Sequence, residues 1–351
     1  MGTVRRLADE VEQGLGEAHP QRRKTVVTKL ALAVGAMIDG QTPNTVELAN
    51  LLPLPSERQD MRKQWLRRLL KNPLLLPAVV IEPFARAELA KAARNGQTVL
   101  LSLDQTDLGE RMAVLMVAVR VGARARPLAW RAEAGAANIG FASQRAVLEQ
   151  VLAWLPGGAR VLLSADRFDP SAALFGWLQA HGWGDRLRLK GNLLADTGQG
   201  DETTTGALAK DVMECYLTGV RLFAQGVMTH LGILHEKGHP EPWIIAMDAI
   251  PTRSSVLDDA ARWAIEPMFS DFKGRGFNLE DAPLQHAERL ERLVLIMALA
   301  MYWCVRVGRD EALNSPTPLE KTHKDKTIPS MGVSRHFIAA WSPGSRAGCV
   351  A

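Results

Sequence analysis

Two periods divide the chain. Up to about residue 95 apolar residues recur three and four apart, the spacing of helices; near residue 97 continuous apolar runs of strand length take over. Residues 22–38 read as a helix that stops at Asp39-Gly40. A second helix starts at Thr42-Pro43-Asn44-Thr45 and runs to Leu52, with Asn44 and Glu47 in capping-box spacing. Pro53 and Pro55 break it. Ser56 and Gln59 make a further capping box for a helix over 57–71, closed by Asn72-Pro73. Met61, Trp65, Leu66, Leu69 and Leu70 are its apolar side.

Beyond residue 97 the run 98–104 reads as a buried strand ending in Asp104. Strands over 112–121 and 126–133 follow, then a helix over 143–155 that breaks at Pro156-Gly157-Gly158. The run 160–166 is a second buried strand ending in an acid, Asp166; a helix over 170–181 and a strand over 186–190 come next. Three successive strands suit a meander, and the alternation after them suits a βαβ crossover. That is the element order of a ribonuclease H-like fold, in which the first and fourth strands would lie side by side and bring Asp104 near Asp166.

Residues 191–257 interrupt this alternation. A polar, Gly-rich loop over 198–205 precedes β-like stretches at 219–234 and 242–249, with a hairpin loop at 235–240. Next comes an amphipathic helix over 262–273, whose Ile265, Phe269 and Phe272 share one face and whose end is marked by Gly274 and Gly276. One or two apolar helices over 279–308 follow, and from residue 314 the sequence is rich in Pro and Lys, with the character of a loosely ordered tail. The expected organisation is α/β: an all-helical N-terminal domain over 1–95, a ribonuclease H-like core over 96–190 and 258–312, a β-rich insertion over 191–257, and a poorly defined tail over 313–351.

Composition narrows the class only slightly. The chain has 351 residues, 47% hydrophobic and 23% charged, which suits a globular protein with a large core. Net charge is +4, so nucleic-acid binding would rest on local basic patches rather than on a histone-like excess. Cys215, Cys304 and Cys349 are scattered and form no CxxC, which argues against a disulfide framework or a zinc site. No stretch reads as a signal peptide or membrane span, so a soluble cytoplasmic protein is expected.

The helix over 57–71 carries Arg58, Arg62, Lys63, Arg67, Arg68 and Lys71 against only Glu57 and Asp60, a balance that suits a DNA-contacting face or, equally, a solvated one. In the later helix Arg262, Glu266 and Lys273 fall four and seven apart on one stripe. Alone, such a stripe reads as an ion-pair ladder on an exposed face. The acids at 104 and 166 change that reading. A buried Asp is costly unless paired or metal-bound, although either one alone suits a strand-end turn. Three carboxylates near one point repel, and Mg²⁺, which takes a few carboxylates plus water and phosphate oxygens, would remove that repulsion. Two such ions about 4 Å apart serve phosphoryl transfer. Arg262 and Lys273 would then hold DNA phosphate beside them.

The residues Leu-Asp104-Gln-Thr, Ser-Ala-Asp166-Arg-Phe and Arg262-Trp263-x-Ile-Glu266-x-x-Phe269-x-x-x-Lys273 resemble the DDE transposases of the insertion-sequence-four group. That family's signature is Tyr, two residues, Arg, three residues, Glu, six residues, Lys. Arg262, Glu266 and Lys273 match it, while the Tyr place holds Asp259. The resemblance covers roughly residues 95–305. It implies a ribonuclease H-like core with a β-rich insertion, and Asp104, Asp166 and Glu266 as catalytic residues holding two Mg²⁺ ions, with Mn²⁺ as a substitute. It implies Arg262 and Lys273 on the transposon-end backbone, and makes Trp243 a candidate to stack on a flipped base, against the plainer role of a core tryptophan. The implied partners are double-stranded DNA, as transposon ends and target, and a second copy of the chain in the DNA complex. The implied location is a bacterial cytoplasm, on the nucleoid when bound. Two rivals stay open: a non-catalytic, transposase-derived DNA-binding protein, and a ribonuclease H-like nuclease of repair or recombination. His230, His235 and His239 are too scattered over a strand and a polar loop to suggest a metal centre.

Overall fold

A computed structural model describes residues 2–314 apart from 123, 136–137, 168, 199–201, 237, 258–264 and 274–276. The protein is mixed α/β, and ten strands form one mixed sheet. By compactness the chain divides into two units, one made of residues 1–84, 122–126 and 268–351, the other of 85–121 and 127–267.

In the first unit, α1 (Thr3–Ala18) and α2 (Lys24–Gly40) are followed by α3 (Thr45–Leu51), α4 (Gln59–Leu70) and the start of α5 (Pro77–Ala92). Gly35 lets α1 and α2 approach closely: a Cβ there would lie 2.9 Å from both Ala8 N and Val4 O. The cap of α3 is as expected, with Asn44 Oδ1 accepting from Val46 N at 3.0 Å. The cap of α4 is not: the helix begins at Gln59, and no side chain caps it. Ser56 is instead tied to α4 through its main chain, its carbonyl accepting from Arg62 Nε at 2.8 Å.

In the second unit, β1 (Val99–Leu108), β2 (Met112–Val121) and most of β3 (Arg124–Ala134) form the meander. The strand β1 does not end at Asp104: it runs four residues further, with Asp104 opposite Met116 and Leu108 opposite Met112. Thr106 and Leu108 point inward and keep this polar extension in the hairpin. Then come α6 (Phe141–Trp154), β4 (Val161–Ala165), α7 (Ala172–Ala180) and β5 (Gly184–Arg188). The strands β1, β4 and β5 are parallel, and the sheet order begins β3-β2-β1-β4-β5.

Residues 191–257 continue this sheet rather than forming a separate layer. They give β6 (Leu194–Asp196), β7 (Thr203–Thr204), α8 (Thr205–Leu208), β8 (Glu214–Leu222), β9 (Val227–Leu234), β10 (Trp243–Met247) and α9 (Arg253–Leu257). The strand β10 runs antiparallel to β5 and β9 and joins the additional strands to the core. The β-like stretch at 219–234 is two strands, because a turn closes at Phe223–Gly226, where Gly226 N donates to Phe223 O at 3.1 Å. Both Phe223 and Gly226 have positive φ there.

The later helices are α10 (Ile265–Phe272) and α11 (Ala287–Asn314). The apolar face expected on α10 is buried: Ile265, Phe269 and Phe272 are at most 8% exposed. In the first unit α11 packs on α2 and α4, and buried Arg292 donates to Leu75 O at 3.1 Å and Leu70 O at 3.0 Å. Of the expected tail, residues 313–314 end α11 and the rest lies outside the described residues. Among the described residues no helix is long and apolar enough to cross a membrane.

Candidate active site

The expected adjacency of the first and fourth strands is present. Leu103 pairs with Ala165 across β1 and β4, and Ala165 pairs with Leu187 across β4 and β5. The next residues are Asp104, Asp166 and Arg188, on neighbouring backbones that lie about 4.8 Å apart in a sheet. One carboxylate-bearing residue therefore follows the last paired position on each of two adjacent parallel strands, and a cation follows on the third. This carboxyl edge of a parallel sheet is where α/β proteins commonly place ligand sites, because loops and helix ends converge there.

Both acids are half-buried and held locally. Asp104 Oδ1 accepts from Gln105 N at 2.8 Å. The Gln105 side chain donates to Asp107 Oδ1 and accepts from Ile139 N, each at 2.8 Å, and ties the site to the segment that enters α6. After Asp166 the chain turns sharply, and Asp169 N donates to Asp166 O at 3.0 Å. Asp169 is itself buried, and Gln144 of α6 donates to its Oδ1 and carbonyl at 3.3 Å. Gln144 and Asp169 are supports that the sequence did not single out; the Asp169-Pro170 turn pair was their only signal.

The third acid, Glu266, is exposed in the first turn of α10, where a helix dipole favours a carboxylate. Among the described residues no three of the His, Cys, Asp and Glu side chains stand together as a metal-holding group. The sheet thus brings Asp104 and Asp166 together, and Glu266 does not join them in such a group. Lys273 forms an ion pair with Glu280 at 3.1 Å. Asp259, Arg262 and Trp263 lie outside the described residues.

Two of the named residues have structural roles. Trp243 is 7% exposed and packs with Leu234, Ile245, Met247 and Val256, so its ring is part of the core and offers no open face to a base. Arg62 is not on the outer side of α4. Its guanidinium donates to the carbonyls of Ser56 at 2.8 Å, Asn50 at 2.9 Å and Leu52 at 2.5 Å, which pins the 52–58 connection to the helix. Arg58 pairs with Asp60 at 2.8 Å. Arg67, Arg68 and Lys71 are exposed and Lys63 is half-exposed. The histidines form no cluster: His230 Nδ1 accepts from Gly219 N at 3.1 Å, while His235 Nε2 lies 3.0 Å from His239 O.

No protein-family model matches the chain, and no curated protein does.

Proposed function

We propose that this chain is a DNA transposase with a ribonuclease H-like core, which cuts at element ends and joins them to target DNA by metal-assisted phosphoryl transfer. The observation that carries the proposal is the register of β1 against β4, with Asp104 and Asp166 each following the Leu103–Ala165 pair. Further support is the sheet order β3-β2-β1-β4-β5 with β1, β4 and β5 parallel, which is the arrangement that this fold implies. The strands after β5, inserted before the helix of Glu266, agree with the insertion that the family resemblance implies.

The donor chemistry suits Mg²⁺, which takes oxygen ligands and keeps several waters. Asp104 and Asp166 would hold it; the third acid that the resemblance implies, Glu266, is exposed on α10 and stands apart from any such group among the described residues. A bound ion would supply Lewis-acid and charge stabilisation for a water or hydroxyl nucleophile and for the leaving oxygen. The chain's own contribution is positional. Rigid parallel backbones fix Asp104 and Asp166, Gln105 and the Asp169 turn restrain their neighbours, and the basic residues after β4 and β5 supply positive potential for the phosphodiester.

The test is nicking of DNA flanking this protein's own coding sequence in Mg²⁺. Cleavage by the wild-type chain that disappears in both Asp104→Asn and Asp166→Asn supports the proposal. Binding without any cleavage would favour the non-catalytic relative, and cleavage directed by DNA structure rather than by an end sequence would favour a repair nuclease.

A further inference from the structure

The edge that carries Asp166 also carries a concentration of cations. A cavity of about 970 Å³ is lined by Arg167, Arg188, Lys190 and Lys210, with Asp211 and Glu241 as its acids. Four Lys and Arg side chains against two acids leave an excess of two positive charges. Arg167 directly follows Asp166, and its Nη1 donates to Glu241 Oε2 at 2.7 Å. Arg188 is the next residue beyond the Ala165–Leu187 pair, so it flanks Asp166 on the side opposite Asp104. Lys210 is exposed.

The wall of this cavity is shaped by two glycines. Gly206 N donates to Gly191 O at 2.7 Å, and a Cβ on Gly206 would meet that same oxygen at 2.7 Å. No other residue type allows the 190–191 and 205–206 segments to meet so closely without backbone shift. Lys190 and Lys210, twenty residues apart in sequence, line one cavity because these segments cross. At the upper end of the usual range of ligand sites, about 300–1,000 Å³, the cavity is roomier than a lone phosphate needs.

We propose that this cavity seats the phosphodiester backbone of one nucleic-acid strand and leads it past Asp166. The assignment rests on the DNA-processing function proposed above and adds Arg167, Arg188, Lys190 and Lys210 as the residues that grip the strand. Their charges complement a polyanion, and their origin on three separate segments of the cavity wall suits successive phosphates better than a single one.

The test is filter binding of flanking DNA by the full-length chain between 50 and 200 mM NaCl, comparing wild type with the Arg188→Gln/Lys210→Gln double variant. Loss of two phosphate contacts should weaken binding and lower the log–log salt slope by about one to two units. An Arg145→Gln control, which removes an exposed cation of α6 that pairs with Glu149, should leave the slope unchanged. If the wild type shows no salt-dependent DNA binding, the proposed function itself fails. If the wild type binds and the folded double variant keeps the full slope, the cavity assignment alone is overturned. If the double variant does not fold, Lys210→Gln decides: a slope lower by about 0.7–0.9 supports the assignment and an unchanged slope overturns it. Saturation of the cavity by inorganic phosphate with no effect on DNA binding would also overturn it.

Discussion

Leu103 of β1 and Ala165 of β4 are register partners in a parallel pair, and each is followed directly by an aspartate. Asp104→Asn keeps the side chain's shape and removes one charge. Strand cleavage in Mg²⁺ should fall by several orders of magnitude, because the charge stabilisation of phosphoryl transfer depends on these carboxylates. DNA affinity should hold or rise slightly, since one negative charge near the phosphate is gone. End-DNA nicking and a gel shift on the same DNA read the two effects separately. Wild-type cleavage by the variant would remove Asp104 from the catalytic set.

Arg62 and its neighbours on α4 should behave differently. Arg62→Ala leaves the carbonyls of Asn50, Leu52 and Ser56 without their charged donor. With charged hydrogen bonds worth roughly 1.5–3 kcal/mol each and water replacing part of them, stability should fall by about 2–4 kcal/mol. Arg67→Ala/Lys71→Ala removes exposed charges and should leave stability nearly unchanged while lowering the salt slope of DNA binding by about one to two units. Urea denaturation and filter binding on both variants check this. Equal destabilisation by the two variants would contradict it.

Asp185 of β5 gives a pH prediction. Asp185 is 4% exposed, and its Oδ2 has no hydrogen-bond partner. Burial pushes its pKa up to about 7, the Asp248 carboxylate adds to the rise, and Arg186 opposes it. Asp248 and His230 line the same small cavity, while the Arg186 guanidinium donates to Asp248 Oδ1 at 2.9 Å. A folded pKa above the unfolded value of 3.8 means that the folded state holds the proton more tightly. The stabilisation is therefore complete below about pH 4 and is lost as pH rises through about 7. Asp185→Asn should be more stable than wild type by up to about 4 kcal/mol at pH 8, with the gap closing toward pH 4. Melting curves over this range that stay parallel for the two proteins would refute it.

Two glycines in adjacent helices should respond in opposite directions to the same change. Gly35→Ala forces a methyl against Ala8 N and Val4 O, which are backbone atoms and cannot swing aside. Overpacking of this kind typically destabilises by about 1–3 kcal/mol. Gly16→Ala meets nothing within 4 Å on α1 and should stabilise by about 0.5–1 kcal/mol through helix propensity. Thermal midpoints that move the same way in both variants would contradict the close approach of α1 and α2.

Several features were already determined by the sequence. The run 112–121, nearly continuous in apolar residues, coincides with β2, whose first eight residues are buried as in a strand covered on both faces. Asn44 set the start of α3 because its side chain reaches Val46 N within one turn. The strand–strand–strand–helix–strand order, read as that of a ribonuclease H-like fold, led to the expectation of β1 beside β4, and the two pair in parallel. All of these rest on interactions between residues close in sequence, or on connection rules that depend only on element order.

Tertiary structure decided the rest. Whether β1 stops at Asp104 or continues to Leu108 depends on the hydrogen bonds that β2 supplies. The core role of Trp243 depends on Leu234 and Val256, which pack against it from other elements. Arg62 looked like any other cation on α4 until the 50–56 carbonyls folded back over its guanidinium. The basic cavity was invisible because Arg167, Arg188, Lys190 and Lys210 come from separate segments, whose convergence depends on the parallel β4–β5 pair, the β5–β10 pair and the Gly191–Gly206 crossing. Charge type and local period are properties of the sequence; which charges meet is fixed by long-range backbone pairing, which no local pattern encodes.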